Sequence, residues 1–306
     1  MATSSALFTP LYAPGLNKIV FDGYTEMPTE YDKFLNVSTV AKRQYLDDYK
    51  MGGFGAVPTK PEGTAIVYDD PVPGATVRYS WTPYGKGFRV THEAMVDELY
   101  GPMRRMAKAL GRSFRNQVEV IGAGMLNSAF ALANGGYDGK SLCGSSGVGT
   151  GAHILLRGGT ARNAPTAAVD FGVTALQDAL IDFERILDDS SMPINYRAKY
   201  LVVPPETWTQ AREVLGSQFK PYTADNEINT LANEGLTLII SHYMTDTDAW
   251  FLLADKADHD LQFFHREKFT TDSADDFDSG DGKMKAYMRN GIGYGDWRGV
   301  WGSPGI

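Results

Sequence analysis

The feature that most constrains the fold is a segment with helical periodicity at residues 91–133. Its apolar residues recur every three or four positions, so they share one face of an α-helix. They are Leu99, Met103, Met106, Leu110, Phe114, Val118, Ile121 and Met125. Thr91 is a suitable N-cap, and Pro102 suits the first turn of a helix that restarts after Gly101. From Pro102 to Ala133 this helix would be about 48 Å long, which predicts a structural backbone for the chain.

A segment rich in glycine and proline precedes this helix and frames two runs with strand propensity. The runs are TAIVY at residues 64–68 and ATVRYSW at residues 75–81, and together they predict a long β-hairpin. In the second run Val77, Tyr79 and Trp81 alternate with polar residues and share one apolar face. An isolated two-stranded hairpin is only marginally stable in water, so another surface must cover this face. The residues leave two alternatives open: the hairpin folds onto its own domain, or it lies on another copy of the chain.

The remaining segments mix helices and strands without βαβ regularity, which indicates an α+β fold. Residues 1–50 are typical of an arm without its own core, with one short helix predicted within residues 40–50. Residues 134–168 are rich in glycine and serine and predict irregular structure. Two further helices are predicted, from Asp170 to Leu187 and from Pro205 to Gly216. Strands are predicted at residues 199–203, 236–243, 249–255, 261–269 and 283–302.

Composition excludes several classes of function. The chain has 29 Lys and Arg residues against 37 Asp and Glu residues, and its net charge of −8 disfavours a protein that binds nucleic acid through a basic surface. Cys143 is the only cysteine, so no internal disulfide can form and a reducing compartment is expected. The first residues lack signal-peptide features, and no segment approaches the roughly 18 apolar residues of a membrane span. We therefore expect a protein that is retained in a cytosol and has no membrane partner.

An acidic stretch, DSADDFDSGDG at residues 272–282, is a candidate calcium loop. An EF-hand loop needs oxygen ligands at positions one, three, five and twelve, with glycine at position six. A loop that starts at Asp276 has Tyr287 at position twelve, and one that starts at Asp272 has Lys283 there. Neither register supplies the bidentate ligand. The stretch is therefore predicted to be a solvated turn, and no metal site is expected.

No other motif predicts a catalytic or cofactor site. GVGTGA at residues 147–152 has the letters of a dinucleotide-binding motif, but it follows no strand and precedes no helix. Thr150 stands where a Walker loop requires lysine. Cys143 and His153 could form a nucleophile and a base, but nothing in the sequence orients them. The five histidines lack the spacing of metal ligands.

Cationic and aromatic side chains alternate at the end of the predicted hairpin. They are Arg78, Tyr79, Trp81, Tyr84, Lys86, Phe88 and Arg89. This combination occurs in proteins that bind single-stranded nucleic acid. Strand alternation explains the same pattern without a ligand, and the negative net charge opposes nucleic-acid binding. We therefore favour a protein–protein surface at this position.

Several stretches, in order along the chain, resemble the major capsid proteins of tailed bacteriophages, of the Mu-like major head subunit type. They are TPYGKGFRVTHEAMVDELYG, MAKALGRSF, LIDFERILDDSSMPINYRAKYLVVPPETWTQAREVLGS, TADNEINTL, TDAWFLLAD and DDFDSGDGKMKAYMRNGIGYGDWRGVWGSPG. Together they span most of residues 80–306. The resemblance implies an α+β fold of the Hong Kong 97 type.

The resemblance also implies an organisation into parts. These are an N-terminal arm at 1–50, an extended β-hairpin loop at 51–89, a peripheral domain with a spine helix at 90–168, an axial domain at 169–268, and closing strands that return to the peripheral domain at 269–306. The acidic stretch would be the turn that leads into the closing strands. In this family the extended loop reaches across a neighbouring subunit, which would cover the face of Val77. The subunit-interface residues expected on the loop are Arg78, Tyr79, Trp81, Tyr84 and Arg89.

The function implied by the resemblance is structural, without catalysis or cofactors. Copies of the chain would assemble as hexamers and pentamers into an icosahedral head that encloses double-stranded DNA. The expected partners are other copies, a separate scaffolding protein, a portal, a decoration protein, and packaged DNA through weak non-specific contact. The expected location is the virion, after assembly in the host cytoplasm. Two alternatives remain: an encapsulin-like compartment of the same fold that holds enzyme cargo, and a cytosolic hydrolase that uses Cys143 or an aspartate pair.

Overall fold

The structure is a computed structural model that describes residues 9–40, 42–96, 100–133, 135–219, 221, 227–276 and 278–306. Its helices are α1 Thr9–Thr25, α2 Tyr31–Phe34, α3 His92–Val96, α4 Tyr100–Asn127, α5 Val173–Glu184 and α6 Trp208–Gly216, with a 3-10 helix at Thr230–Asn233. The strands are β1 Asn36–Thr39, β2 Tyr45–Met51, β3 Pro73–Ser80, β4 Thr82–Val90, β5 His153–Ile154, β6 Thr160–Ala161, β7 Tyr200–Val203, β8 Thr237–Ile240, β9 Trp250–Leu253, β10 Leu261–Asp275, β11 Gly282–Tyr294 and β12 Val300–Ser303. The start of the predicted arm, Leu99 of the helical pattern and residues 223–226 of the TADNEINTL stretch lie outside the described residues.

The long predicted helix is confirmed as α4, which has Pro102 in its first turn. Apolar residues on one side of α4 are buried, including Phe114 and Val118. The helix ends at Asn127 rather than Ala133. The side chain of Asn127 accepts a hydrogen bond from the backbone N–H of Thr245 and donates one to the backbone oxygen of Tyr243, both at 3.0 Å, and the following residues form tight turns. Contacts with a distant segment therefore terminate the helix earlier than its periodicity predicts.

The first sheet has the strand order β1-β10-β11-β4 and packs against α4. Strands β10 and β11 form a long antiparallel hairpin, and β1 pairs in parallel with β10. Along β11, Met284, Ala286 and Met288 are buried while Lys283 and Lys285 are exposed, as expected for alternating faces. Helix α1 packs beside α4 and contributes Val20 to the same core.

The described part of the predicted arm is integrated into this core. Phe34 and Leu35 are buried beside α4, and β1 is an edge strand of the first sheet. The short helix predicted within residues 40–50 is wrong, because residues 45–51 form β2. Exposed and half-buried positions alternate along β2, which is the periodicity of a strand.

The second sheet has the strand order β12-β9-β7-β8, and its core includes residues of α5 and α6. The four strands predicted at residues 199–269 are confirmed as β7 to β10. The predicted domain boundaries differ from this topology in two places. The boundary at residue 268 falls inside β10, which belongs to the first sheet throughout, and β12 pairs with β9 in the second sheet. The closing segment therefore contributes the end of β10 and all of β11 to the first sheet, and β12 to the second. No helix in the described ranges is long and apolar enough to cross a lipid bilayer.

Candidate functional site

The predicted hairpin exists, but one of its strands is not the expected one. Strand β3 confirms the ATVRYSW run, whereas residues 64–68 form no strand and are exposed. The partner of β3 is β2, paired from Tyr45 opposite Ser80 to Met51 opposite Pro73. The hairpin therefore consists of β2 and β3, joined by a long loop at residues 52–72.

The apolar face of the hairpin is covered by the same chain. Val77, Tyr79 and Trp81 are buried in one cluster with Phe264 of β10. The ring of Phe264 lies 5.0 Å from that of Tyr79 and 5.3 Å from that of Trp81. The expectation that a neighbouring subunit covers this face is therefore wrong, and the alternative in which the hairpin folds onto its own domain is correct.

A glycine on β11 allows this close packing. A Cβ atom on Gly291 would lie 2.5 Å from the backbone oxygen of Ser80 and 2.8 Å from the Trp81 ring. The indole nitrogen of Trp81 donates a hydrogen bond to the backbone oxygen of Arg43 at 3.0 Å. The sequence pattern alone could not show these contacts, because the covering strands lie far along the chain.

The five residues predicted at a subunit interface lie in different environments. Tyr79 and Trp81 are buried within the chain, and Tyr84 is half-buried against the main core. Arg78 is exposed and forms a two-point ion pair with Asp47 at 2.6 and 2.7 Å, which lowers the pKa of that carboxyl. Arg89 is also exposed and lies 3.3 Å from Asp281. The interface role of these five residues stays a prediction.

The loop of the hairpin exposes apolar side chains, three of which belong to the TAIVY run that was expected to form a strand. Residues 56–71 are all exposed. Five large apolar residues between positions 54 and 68 are more than half exposed, and Val57 and Tyr68 are the extremes at 94% and 92%. They are Phe54, Val57, Ile66, Val67 and Tyr68. The sequence did contain a signal for an exposed loop here, because these residues lie among glycines and prolines and do not alternate with polar residues as in a strand.

Polar contacts hold the base of the hairpin against the body of the chain. The Tyr137 hydroxyl donates to Asp48 of β2 at 2.8 Å. The ammonium group of Lys50 lies 2.9 Å from Asp189 and 2.7 Å from Asp296. Arg298, which is buried, pairs with both of those carboxylates at 3.0 Å. Burial disfavours ionisation of Asp296, but Arg298 and Lys50 outweigh it, so the pKa of Asp296 is lowered.

A second polar contact lies further towards the loop. The Arg157 guanidinium donates to the backbone oxygens of Gly53 and Asp70 and pairs with the Asp69 carboxylate at 2.9 Å. The two limbs of the loop are also bonded to each other at this point, because the Gly55 backbone N–H donates to the Asp69 carboxylate at 2.7 Å. Arg157 therefore contacts both limbs of the loop where it leaves the body.

The candidate nucleophile and base do not form a catalytic pair. Cys143 is fully buried, and burial raises the pKa of its thiol, which disfavours the reactive thiolate. The imidazole of His153 has Nδ1 2.6 Å from Asp138 and Nε2 2.9 Å from Asn163, and its ring stacks on Trp297. Burial disfavours ionisation of Asp138, but its hydrogen bond to His153 outweighs this and lowers the pKa of Asp138. This cluster ties the irregular segment to the closing strands.

Residues 276–281 of the acidic stretch form the turn between β10 and β11, as the resemblance implied, whereas residues 272–275 are the paired end of β10. The backbone N–H of Asp276 donates to the backbone oxygen of Asp281 at 2.8 Å, and Gly280 has a φ of +72°, which favours glycine. Asp276 pairs with Lys283, whose hydrogen bond lowers the pKa of Asp276. Phe277 lies outside the described residues. Among the residues that the structure describes, no group of three or more His, Cys, Asp or Glu side chains could hold a metal ion.

Comparison with known proteins gives one family and one fold. The profile of a family described as phage capsid protein matches residues 74–303. No curated protein is significantly similar in sequence. The virus-like particle from Pyrococcus furiosus is a structural neighbour, with a TM-score of 0.51 and 13% identity over 95% of this chain and 99% of the other.

Two further structural neighbours cover most of the chain. The capsid of an empty GTA particle has a TM-score of 0.53 and 14% identity over 90% of this chain and 89% of the other. A structure from Mycobacterium phage Che8 has a TM-score of 0.51 and 15% identity over 85% and 84%. At these identities the likeness to solved structures concerns the fold.

Proposed function

The chain belongs to the phage capsid protein family and is a structural subunit of a phage head, and we propose that its exposed hairpin loop contacts a neighbouring copy. The family match covers residues 74–303, and the fold is the α+β type of Hong Kong 97-like capsids. The chain assembles with other copies into a shell, and its location is the virion.

The exposed apolar residues of the loop carry this proposal. Isolated proteins rarely expose contiguous apolar patches without a binding function. In this chain Phe54, Val57 and residues 66–68 are exposed apolar side chains concentrated on one loop, which leaves the body after the Arg157 contact. Because the chain is a shell subunit, the surface that covers the loop is a second copy. The neighbour would thus bury the loop and not the Val77 face.

The finer features of the shell belong to the same proposal. Copies form hexamers and pentamers of an icosahedral shell around double-stranded DNA, and assembly takes place in the host cytoplasm with a scaffolding protein, a portal and a decoration protein. The net charge of −8 disfavours tight binding to the packaged DNA, so contact with it is weak and non-specific. The matched family is described as phage capsid protein, which favours a phage head over an encapsulin-like compartment.

We also propose that the subunit has no enzymatic activity. The one cysteine is a buried thiol, and both ring nitrogens of His153 are already in hydrogen bonds to Asp138 and Asn163. These contacts leave neither group free to act on a substrate. The hydrolase alternative therefore has no support from Cys143 and His153.

Assembly of loop variants tests the proposed function. The double variant Val57→Asp, Tyr68→Asp should remain folded by circular dichroism but lose closed shells in negative-stain microscopy, because charge replaces apolar contact area. The matched control changes Lys60→Gln and Glu62→Gln in the same loop and should still form shells. Closed shells of normal size from the aspartate variant would exclude the loop as the contact. Failure of the unmodified chain to form particles under any condition, with or without its scaffold, would contradict the shell assembly itself.

A further inference from the structure

We propose that Lys50 and Arg157 are positioning residues that together fix the direction of the hairpin loop, and through it the curvature of the shell. We refer to this pair as the hairpin attachment. The inference rests on the proposed function for its effect on the shell, but its effect on the loop can be measured in the isolated subunit. It assigns a role to two residues that the sequence pattern did not distinguish.

The contacts of the hairpin follow one another from its base to its tip. The apolar cover holds residues 77–81, and the Tyr137 bond to Asp48 follows. Lys50 comes next, then the Arg157 contacts at Gly53 and residues 69–70. Beyond these, residues 56–68 are exposed. The Ser190 hydroxyl adds a long hydrogen bond of 3.5 Å to the Gly53 backbone oxygen. The direction of the free loop is therefore set by these last contacts, in which Lys50 and Arg157 supply the charged groups.

Lys50 bridges two carboxylates of the body, which restricts its position. Its ammonium group lies 2.9 Å from Asp189 and 2.7 Å from Asp296, and its side chain is only 14% exposed. Without Lys50 the cluster would keep two carboxylates and only the guanidinium of Arg298. A buried carboxylate without a paired cation is unfavourable. The cluster therefore favours the hairpin position in which Lys50 supplies the second positive charge beside that of Arg298.

Arg157 belongs to the same part of the body as Asp189. The backbone N–H of Arg157 donates to the backbone oxygen of Asp189 at 3.2 Å, while the Asp189 carboxylate pairs with Lys50. With only one of these contacts, the part of the hairpin beyond the apolar cover could pivot about a point. Two contacts at different positions, both held by one segment of the body, remove that freedom.

A small change at the attachment becomes a large change at the tip. Glu62 is twelve residues beyond Lys50, a reach of at most about 40 Å in extended chain, so a rotation of about 10° at the base would move the tip by up to about 7 Å. A cleft of about 300 Å³ lies beside Lys50 and is lined by Gly74, Ala75 and Leu155. Each subunit places its tip on a neighbour, so the base angle affects the angle between copies.

The first measurement concerns the isolated subunit. Spin labels at Val57→Cys and Ile181→Cys, both exposed positions, report the distance between the loop and the body. The native Cys143 is buried, so the label attaches to the two introduced cysteines. The double variant Lys50→Met, Arg157→Met should broaden this distance distribution at least about twofold. Lys50→Arg keeps the charge and should retain a narrow distribution. An unchanged distribution in the double variant would overturn the inference.

Two control variants remove ion pairs that do not join hairpin and body. Arg78→Met breaks a pair within the hairpin, and Lys199→Met breaks a pair with Asp255 within the body. Neither should broaden the distribution. If both broadened it as much as the double variant, the effect would be general loosening and the inference would fail. Should the double variant not fold, Arg157→Met alone makes the same test, since that side chain is 24% exposed.

The second measurement is the diameter of assembled particles by electron microscopy. The double variant should give mixed diameters or open shells, where the unmodified chain gives one size. A single normal diameter together with a broadened loop distribution would overturn the link between loop direction and curvature. If the unmodified chain formed no particles, the proposed function would fail, while the distance measurement would still decide the role of the hairpin attachment.

Discussion

The carboxylate of Glu119 accepts a hydrogen bond from the backbone N–H of Tyr31, with an oxygen–nitrogen distance of 3.0 Å. The same oxygen accepts the N–H of Glu30 at 3.1 Å, and the other oxygen lies 3.2 Å from Arg115. Both side chains of this ion pair are on α4 and are buried. One carboxylate of the long helix therefore holds the start of α2, and with it the segment that leads into β1.

Replacement of this carboxylate tests how strongly the N-terminal segment is held. Glu119→Ala should lower the free energy of unfolding by about 3 kcal/mol, because it leaves a buried guanidinium and two backbone donors without partners. Chemical denaturation measures this change. Glu26→Ala is the control, since Glu26 pairs with Lys108 and Arg112 at the surface. An equal loss in both variants would contradict the holding role of Glu119.

The cover of the hairpin depends on one ring. Phe264→Ala should cost about 3 to 4 kcal/mol of stability, since it removes a buried aromatic side chain and leaves a cavity beside Tyr79 and Trp81. Hydrogen exchange should become faster in β2 and β3 before it does in β7 to β9. Phe54→Ala, at an exposed position, should change neither quantity. Unchanged exchange in β3 after loss of Phe264 would contradict the contact.

Acid should weaken the cluster around His153. The pKa of Asp138 is lowered in the folded chain, so this carboxylate contributes stability above its ordinary pKa of 3.8, and the contribution is lost as pH falls through the lower folded value. The thermal midpoint should therefore fall below about pH 4, and Asp138→Asn should show a shallower fall there. Asp272→Asn, at an exposed position, serves as the control. Parallel pH curves for the Asp138 variant and the unmodified chain would exclude this contribution.

The thiol of Cys143 should be unreactive in the folded chain. Burial raises its pKa and also excludes reagents, so alkylation at pH 8 should be at least about 100-fold slower than in denaturant. Mass spectrometry of iodoacetamide adducts measures the rate. Rapid labelling of the folded chain would contradict the buried position and would reopen the hydrolase alternative.

Two loop deletions should have opposite effects on folding. Removal of residues 60–86 also removes β3 and the buried Val77 and Tyr79, so this variant should not fold. Replacement of residues 56–68 by a short Gly-Ser linker should leave the fold intact, because the Gly55 N–H already donates to Asp69 at 2.7 Å and brings the two ends together. Circular dichroism and thermal unfolding distinguish these outcomes. A folded product from the longer deletion would contradict the assignment of β3 to the core.

Elements with a strong local pattern were predictable from the sequence. The apolar spacing around Phe114 and Val118 predicts α4, and the continuous apolar run at residues 250–253 predicts β9. Strand β2 was missed because YLDDYKM carries two aspartates, which disfavour strands on propensity alone. Their partners, Arg78 and Tyr137, become visible only in three dimensions. The cover of Trp81 by Phe264 was missed for the same reason, since local periodicity contains no information about pairing between distant segments.

The last segment of the chain has a mechanical consequence. Residues 282–294 lie in the first sheet and residues 300–303 in the second, so one short stretch of backbone is part of both halves of the subunit. Tension on either half passes directly along covalent bonds into the other. A force that pulls on one half of a subunit would therefore load the other half through the backbone as well as through side-chain contacts.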